Sequence, residues 1–121
     1  MLSIVDLQLY SKENPPTKTL GRKKEVLDSY LKFNSTPENK NNFISNVHQN
    51  LLQNKYYLHL NDFPYNVEDS IEHWLLWWNN NLDIDEIIIK KFGNKVITYW
   101  VNFPENNSIS DIKHAHIFVI K

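Results

Sequence analysis

In the first half of the chain, apolar residues recur at helical spacing. From Arg22 to Phe33 they are three or four positions apart, which predicts an amphipathic helix. Thr36 followed by Pro37 predicts the start of a second helix, because Thr is a common N-cap and Pro is favoured at the first helical position. That helix continues to about Asn54. Residues 1–55 are therefore predicted to be a mostly helical layer, whose two helices resemble packing elements rather than a site.

The second half carries strand patterns. The segment from Ile71 to Trp78 is ambiguous, because some of its apolar residues fit a helix face while the unbroken run from Trp74 onward fits a buried strand. We favour a strand from about His73. The other predicted elements are a strand over 56–60, a helix over 83–92 closed by Gly93, an alternating strand over 95–103 and a strand over 114–120.

The order of these elements predicts an α+β fold. Strands joined by hairpins and short crossovers favour a small, largely antiparallel sheet, which we expect to carry helices on one face. The 121 residues suffice for one domain, with residues 56–121 as its sheet-forming core. We expect 95–103 and 113–120 to be adjacent antiparallel strands.

Composition and charge narrow the functional classes. The chain has a net charge of -1 and no cysteine, which excludes disulfides, cysteine zinc sites and thiol nucleophiles and makes an extended nucleic-acid interface unexpected. No apolar run is long enough for a membrane helix, and the N-terminus does not look like a signal peptide, so an intracellular, cytoplasmic domain is expected. Asn, Lys and Ile supply 41 of 121 residues, which is typical of an AT-rich viral or microbial genome. With a single Arg, at position 22, we expect any phosphate to be bound by His, Lys, Ser, Asn and backbone N–H groups.

The pair His114 and His116 is the clearest candidate for chemistry. In a strand, side chains two apart point to the same face, about 6.5–7 Å apart along it. Two such imidazoles can bind phosphate, bind a metal with a third ligand such as Asp111 or His73, or supply a nucleophile beside a general acid or base. One of them can also be purely structural. No known metal spacing is present, so neither a metal nor a cofactor is predicted.

The segment from Val101 to Val119, with its polar loop and His114-Ala115-His116, resembles the signature of the histidine triad superfamily. Leu58 to Tyr65, followed by a His at 73, resembles a second landmark of that family. The resemblance covers roughly residues 56–120. It implies a small nucleotide-like ligand and hydrolysis or transfer at its α-phosphate.

The resemblance also implies roles for individual residues. His116 falls on the nucleophile and His114 on an orienting position, while Asn61 falls on a position that contacts the sugar or base. His73 and Asn102 belong to the same expected cleft. The loop 104–111 is expected to present Ser108 or Ser110 and backbone N–H groups to the ligand. The third motif His is replaced by Phe118, the Ser/Thr position by Asp111 and the Gln position by Ser110, and these departures argue against activity.

Asn61-Asp62-Phe63-Pro64-Tyr65 also resembles an Asn-Asp-Trp-Pro-Tyr motif in an uncharacterised group of fungal and viral proteins. In that group a His in an apolar strand and a His-x-His pair near the C-terminus follow the motif, as His73, His114 and His116 do here. This resemblance implies no chemistry.

The alternative function is a non-catalytic binding or protein-interaction module. Its surface would be the strand that contains Trp74, Trp77 and Trp78, and a homodimer through that strand would be one version of it.

Overall fold

A four-stranded antiparallel sheet forms the centre of the computed structural model, which describes residues 1–102 and 112–121. The long central strands β2 (Ile71–Trp78) and β4 (Lys113–Ile120) pair along their whole length. This pairing sets His73 opposite Phe118 and Leu75 opposite His116. The predicted α+β class is confirmed, and so is the adjacency of the last two strands. The strands are β1 (Tyr57–Leu60), β2 (Ile71–Trp78), β3 (Val96–Trp100) and β4 (Lys113–Ile120), in the order β1-β2-β4-β3.

In the described residues, four α-helices pack around the sheet. The first, of four residues, was missed from the sequence because it is too short to show periodicity; a capping box between Ser3 and Asp6 stabilises it. At the last helix, the Asp83 side chain accepts a hydrogen bond from the Glu86 N–H at the start, and Gly93 (φ 60°) ends it. The helices are α1 (Ile4–Leu7), α2 (Lys24–Asn34), α3 (Pro37–Gln53) and α4 (Ile84–Phe92).

The prediction that helices lie on one face of the sheet is wrong, because both faces of the central strands are apolar. In β2, Leu76 and Trp78 pack with Ile88 of α4, whereas Leu75 and Trp77 pack on the opposite face with α3. Helix α1 packs on that same face through Leu7. A strand buried on both faces reads as a continuous apolar run, which explains the ambiguous pattern of this segment. None of the helices in the described ranges is long and apolar enough to cross a membrane.

A register shift in β3 breaks the predicted alternation of Val96, Thr98 and Trp100. It lies between Val96 and Thr98, so Val96 joins the α4 side while Trp100 packs with Phe118 on the other. The Thr98 hydroxyl donates to the Tyr10 carbonyl at 2.6 Å. The bulge thus turns Trp100 toward the sheet face that carries the histidines.

Candidate functional site

Three histidines meet on the sheet face that the N-terminal helices cover. His73 comes from β2, and His114 and His116 come from β4; all three are buried. His73 Nε2 lies 2.8 Å from His116 Nδ1, and the ring centroids of His114 and His116 are 5.4 Å apart. The structure therefore brings the predicted pair together with His73. Within the described part of the chain, no group of three or more His, Cys, Asp or Glu side chains is arranged to hold a metal.

The turn between β1 and β2 holds His73 in place. The Asn61 side-chain oxygen accepts from the Phe63 N–H at 2.9 Å, which closes the turn. The Asn61 N–H donates to the His73 carbonyl at 2.9 Å, and the Tyr65 N–H donates to His73 Nδ1 at 3.1 Å. The motif from Asn61 to Tyr65, for which the sequence resemblance implied no chemistry, therefore supports the buried imidazole of His73.

Asn102, just after β3, lies on the other side of His116. Its Oδ1 accepts from the Trp100 indole N–H at 2.9 Å, and its Nδ2 lies 3.1 Å from His116 Nε2. Burial raises the pKa of the Tyr65 hydroxyl, and a hydrogen bond from the Asn102 side chain opposes that effect. Asn102 therefore connects Trp100, Tyr65 and His116.

These residues border a cavity of about 350 Å³. His73 is not part of the lining and reaches it through His116. Ser108, Ser110 and Asp111 lie outside the described residues. The predicted site residues in the described lining are Asn61, Asn102, His114 and His116; the others are Thr19, Arg22, Tyr30, Phe33, Asn34, Lys40, Phe43, His59, Asp62, Phe63, Tyr65, Leu75 and Trp77.

Arg22 and the N-terminal helices line the same cavity as the histidines. Residues 1–55 therefore do more than pack on the sheet, and the cavity contains an Arg that the sequence did not lead us to expect there. Arg22 Nε donates to the Phe63 carbonyl at 2.8 Å, and its Cζ lies 4.1 Å from the ring centroid of Tyr30 and 5.1 Å from that of Tyr65. No carboxylate in the described ranges forms an ion pair with it. The sequence signal that could have identified Arg22 is that it is the one Arg among 13 basic residues.

Aromatic side chains form most of the remaining wall. Trp77 stacks on His114 at 4.4 Å between centroids and meets Phe43 edge-on at 5.5 Å. The Trp77 indole N–H donates to His59 Nε2 at 2.9 Å, while His59 Nδ1 bonds the Leu60 carbonyl at 2.8 Å. Both nitrogens of His59 are therefore occupied, as expected of a structural histidine, and its role is to orient Trp77.

The histidines of the site are neutral near pH 7. Burial lowers the pKa of His73 well below its usual value, and the Arg22 charge adds to the effect. Burial likewise lowers the pKa of His116, with smaller contributions from His73, His114 and Arg22. Burial lowers the pKa of His114 to about 4, against an opposing effect of the Ile112 backbone. The positive charge at the cavity therefore comes from Arg22 and Lys40, not from imidazolium.

Phe118, at the position of the third motif His, is a core residue. It is fully buried and stacks on His73 at 4.4 Å and on Trp100 at 4.9 Å between centroids.

Phe118→His should therefore destabilise the fold without creating a new function. We expect a loss of about 2–5 kcal/mol in the free energy of unfolding, because the change buries an unpaired polar group and removes ring contacts. Urea unfolding measures it, with Phe118→Leu as an apolar control that should lose less. A Phe118→His protein as stable as the wild type would contradict the core assignment.

Comparison with known proteins adds a fold likeness. No protein-family model matches the chain. It is 26% identical over 85 residues to the Uncharacterized protein YPL067C of Saccharomyces cerevisiae, a match over 53% of this chain and 43% of the yeast protein. The chain thus spans less than half the length of that relative.

A solved structure is also similar. The structure titled "Crystal Structure of HTC1" superposes with a TM-score of 0.53 at 22% sequence identity, covering 84% of this chain and 76% of the other. At this identity the likeness concerns the fold alone.

Proposed function

We propose that the cavity binds a small ligand that combines an aromatic ring with a phosphate group, as a nucleotide does. The observation that carries the proposal is an Arg22 guanidinium without a carboxylate partner among the described residues, in a cavity walled by aromatic rings and imidazoles. Arg presents several N–H donors to phosphate oxygens, and aromatic walls accept a flat ring. A volume of about 350 Å³ falls in the range of small-molecule sites.

The remaining lining residues fit the same ligand. Lys40 adds a second positive charge at the cavity, while the Asp62 carboxylate is an acceptor suited to sugar hydroxyls. Asn61 and Asn102 supply amide groups. Membership of the histidine triad superfamily stays a hypothesis, and the residues that line the cavity are compatible with it.

Hydrolysis or transfer at an α-phosphate through His116 is the second candidate. What favours it is that the His116 imidazole is neutral at the cavity wall, as a nucleophile must be. The departures at Phe118 and Asp111 count against it. Catalysis would require the same bound ligand, so binding is the primary claim.

The Trp-rich strand is a poor docking surface. β2 is an interior strand of the sheet, and only 2% of Trp77 and 7% of Trp78 is exposed. Of its three tryptophans, Trp74 alone is partly exposed. The interaction-module alternative therefore requires another face.

Calorimetric titration with AMP, adenosine and inorganic phosphate tests the proposal. We expect AMP to bind more tightly than either fragment, because only AMP fills both the aromatic and the cationic parts of the cavity. A parallel product assay with wild type and His116→Asn decides between binding and turnover. No binding of any nucleoside monophosphate at millimolar concentration, with folded protein, would contradict the proposal.

A further inference from the structure

A hydrogen-bond network lies on the buried side of the cavity, and the group at each of its two ends can only donate. One end is the Tyr65 backbone N–H and the other is the Trp100 indole N–H. Neither group can accept a hydrogen bond through nitrogen. Between them lie His73, His116 and the Asn102 amide, each within 3.1 Å of the next.

This network cannot pair a donor with an acceptor at every contact. A neutral imidazole has one N–H and one acceptor nitrogen, and a carboxamide that bridges two neighbours offers N–H at one end and oxygen at the other. The three bridging groups therefore bring three donors and three acceptors to the four contacts. Because both terminal groups donate inward, one of the four contacts is necessarily between two donors, whichever tautomers and amide orientation are chosen. Protonating an imidazole adds a further donor and makes the mismatch worse.

The contact lengths locate the mismatch at His116 Nε2, because the His73–His116 contact of 2.8 Å is shorter than the His116–Asn102 contact of 3.1 Å. The Tyr65 N–H requires a bare Nδ1 on His73, so His73 carries its proton on Nε2 and donates it to His116 Nδ1. His116 must then carry its own proton on Nε2. Asn102 is held with its oxygen toward Trp100 and its nitrogen 3.1 Å from His116 Nε2. The His116 Nε2–H consequently has no acceptor in this network.

A second buried group in the same lining is weakly paired, since the Ile112 backbone raises the pKa of His114 but does not meet standard hydrogen-bond geometry. His114 Nδ1 is buried and makes no hydrogen bond of standard geometry with a described residue. Only 7% of the His114 residue is exposed, and it borders the cavity beside His116. Buried polar atoms without partners are rare in folded proteins and point to a missing ligand or water.

We infer that a phosphate oxygen of the ligand is the missing acceptor, that it binds the His116 Nε2–H, and that His73 is the positioning residue that fixes this proton. The inference rests on the proposed function and deepens it. It assigns His116 as a hydrogen-bond donor whose Nε2 has no lone pair for attack on phosphorus in the resting state. The site thus selects ligands with an anionic oxygen beside Arg22 and rejects cationic donors there.

Long-range ¹H–¹⁵N spectra of the imidazoles in the ligand-free protein test the tautomer. Both His73 and His116 should be in the Nε2–H form between pH 6.5 and 8. A proton on Nδ1 of His116, or a mixture of forms, would overturn the inference. Because the measurement uses no ligand, its result is independent of whether nucleotides bind.

Replacing His73 tests its positioning role. His73→Phe removes the donor to His116 Nδ1, so the His116 tautomer should become mixed and AMP affinity should fall about tenfold, the order expected for a hydrogen bond to a charged group. His73→Gln retains an amide N–H and should recover part of that loss. If His73→Phe leaves both the tautomer and the affinity unchanged, His73 does not position His116. If that variant does not fold, the wild-type spectra still decide.

Discussion

Acidification should unfold this protein at mildly acidic pH. His73, His114 and His116 are buried and neutral in the folded state, with pKa values lowered by burial, whereas in the unfolded chain they return to about 6.5. The unfolded state then binds more protons as the pH falls, so the stabilisation is complete above about pH 6.5 and is lost below it. For His114, whose folded pKa is about 4, the loss amounts to about 3 kcal/mol once the pH is below both values.

Urea unfolding followed by Trp fluorescence from pH 7.5 to 5 measures this loss. Each of the three histidines should add a slope of up to about 1.4 kcal/mol per pH unit. His114→Phe preserves a flat ring against Trp77 but removes one titrating group. It should therefore reduce the slope by up to about 1.4 kcal/mol per pH unit. A free energy of unfolding that is constant over this range would mean that these imidazoles are not buried as described.

Arg22→Gln should weaken AMP binding about 10- to 100-fold, because a charge-assisted hydrogen bond contributes roughly 1.5–3 kcal/mol. Adenosine binding should change little, since adenosine has no phosphate for the guanidinium. Arg22→Lys should be intermediate, because it retains the charge but loses the planar contact with Tyr30 and Tyr65.

Lys24→Gln is the matched control for Arg22→Gln in the same calorimetric titration. Lys24 is an exposed basic residue of α2 outside the cavity lining, so its loss should change AMP affinity less than twofold. Equal losses in the two variants would indicate nonspecific attraction of the anion. An Arg22→Gln protein with wild-type affinity would place the phosphate elsewhere.

The sequence was informative where local pattern determines structure. His114 and His116 point to the same face because side chains alternate with a period of two along a strand. The residues from Asn61 to Tyr65 are typical of a turn, and the Asn61–Phe63 hydrogen bond closes that turn. The helix bounds at Pro37 and Gly93 follow from residue types with restricted or unusual backbone freedom.

The rest depends on contacts that are distant in sequence. Arg22 reaches the site by bonding Phe63, 41 positions away, and His73 joins His116 across 43 positions. No local pattern encodes such pairings. The β3 bulge was hidden because Val96, Thr98 and Trp100 alternate in sequence whether or not the register shifts. The sequence also could not predict how many faces of the sheet are covered, because an apolar run does not indicate which helix packs on it.

A crystal structure of the protein with AMP tests the central claim most directly. The account predicts a base between the aromatic walls, a phosphate oxygen on the Arg22 guanidinium, and another phosphate oxygen within hydrogen-bond distance of His116 Nε2. AMP bound outside the cavity, or bound within it with the phosphate away from both Arg22 and His116, would contradict the account.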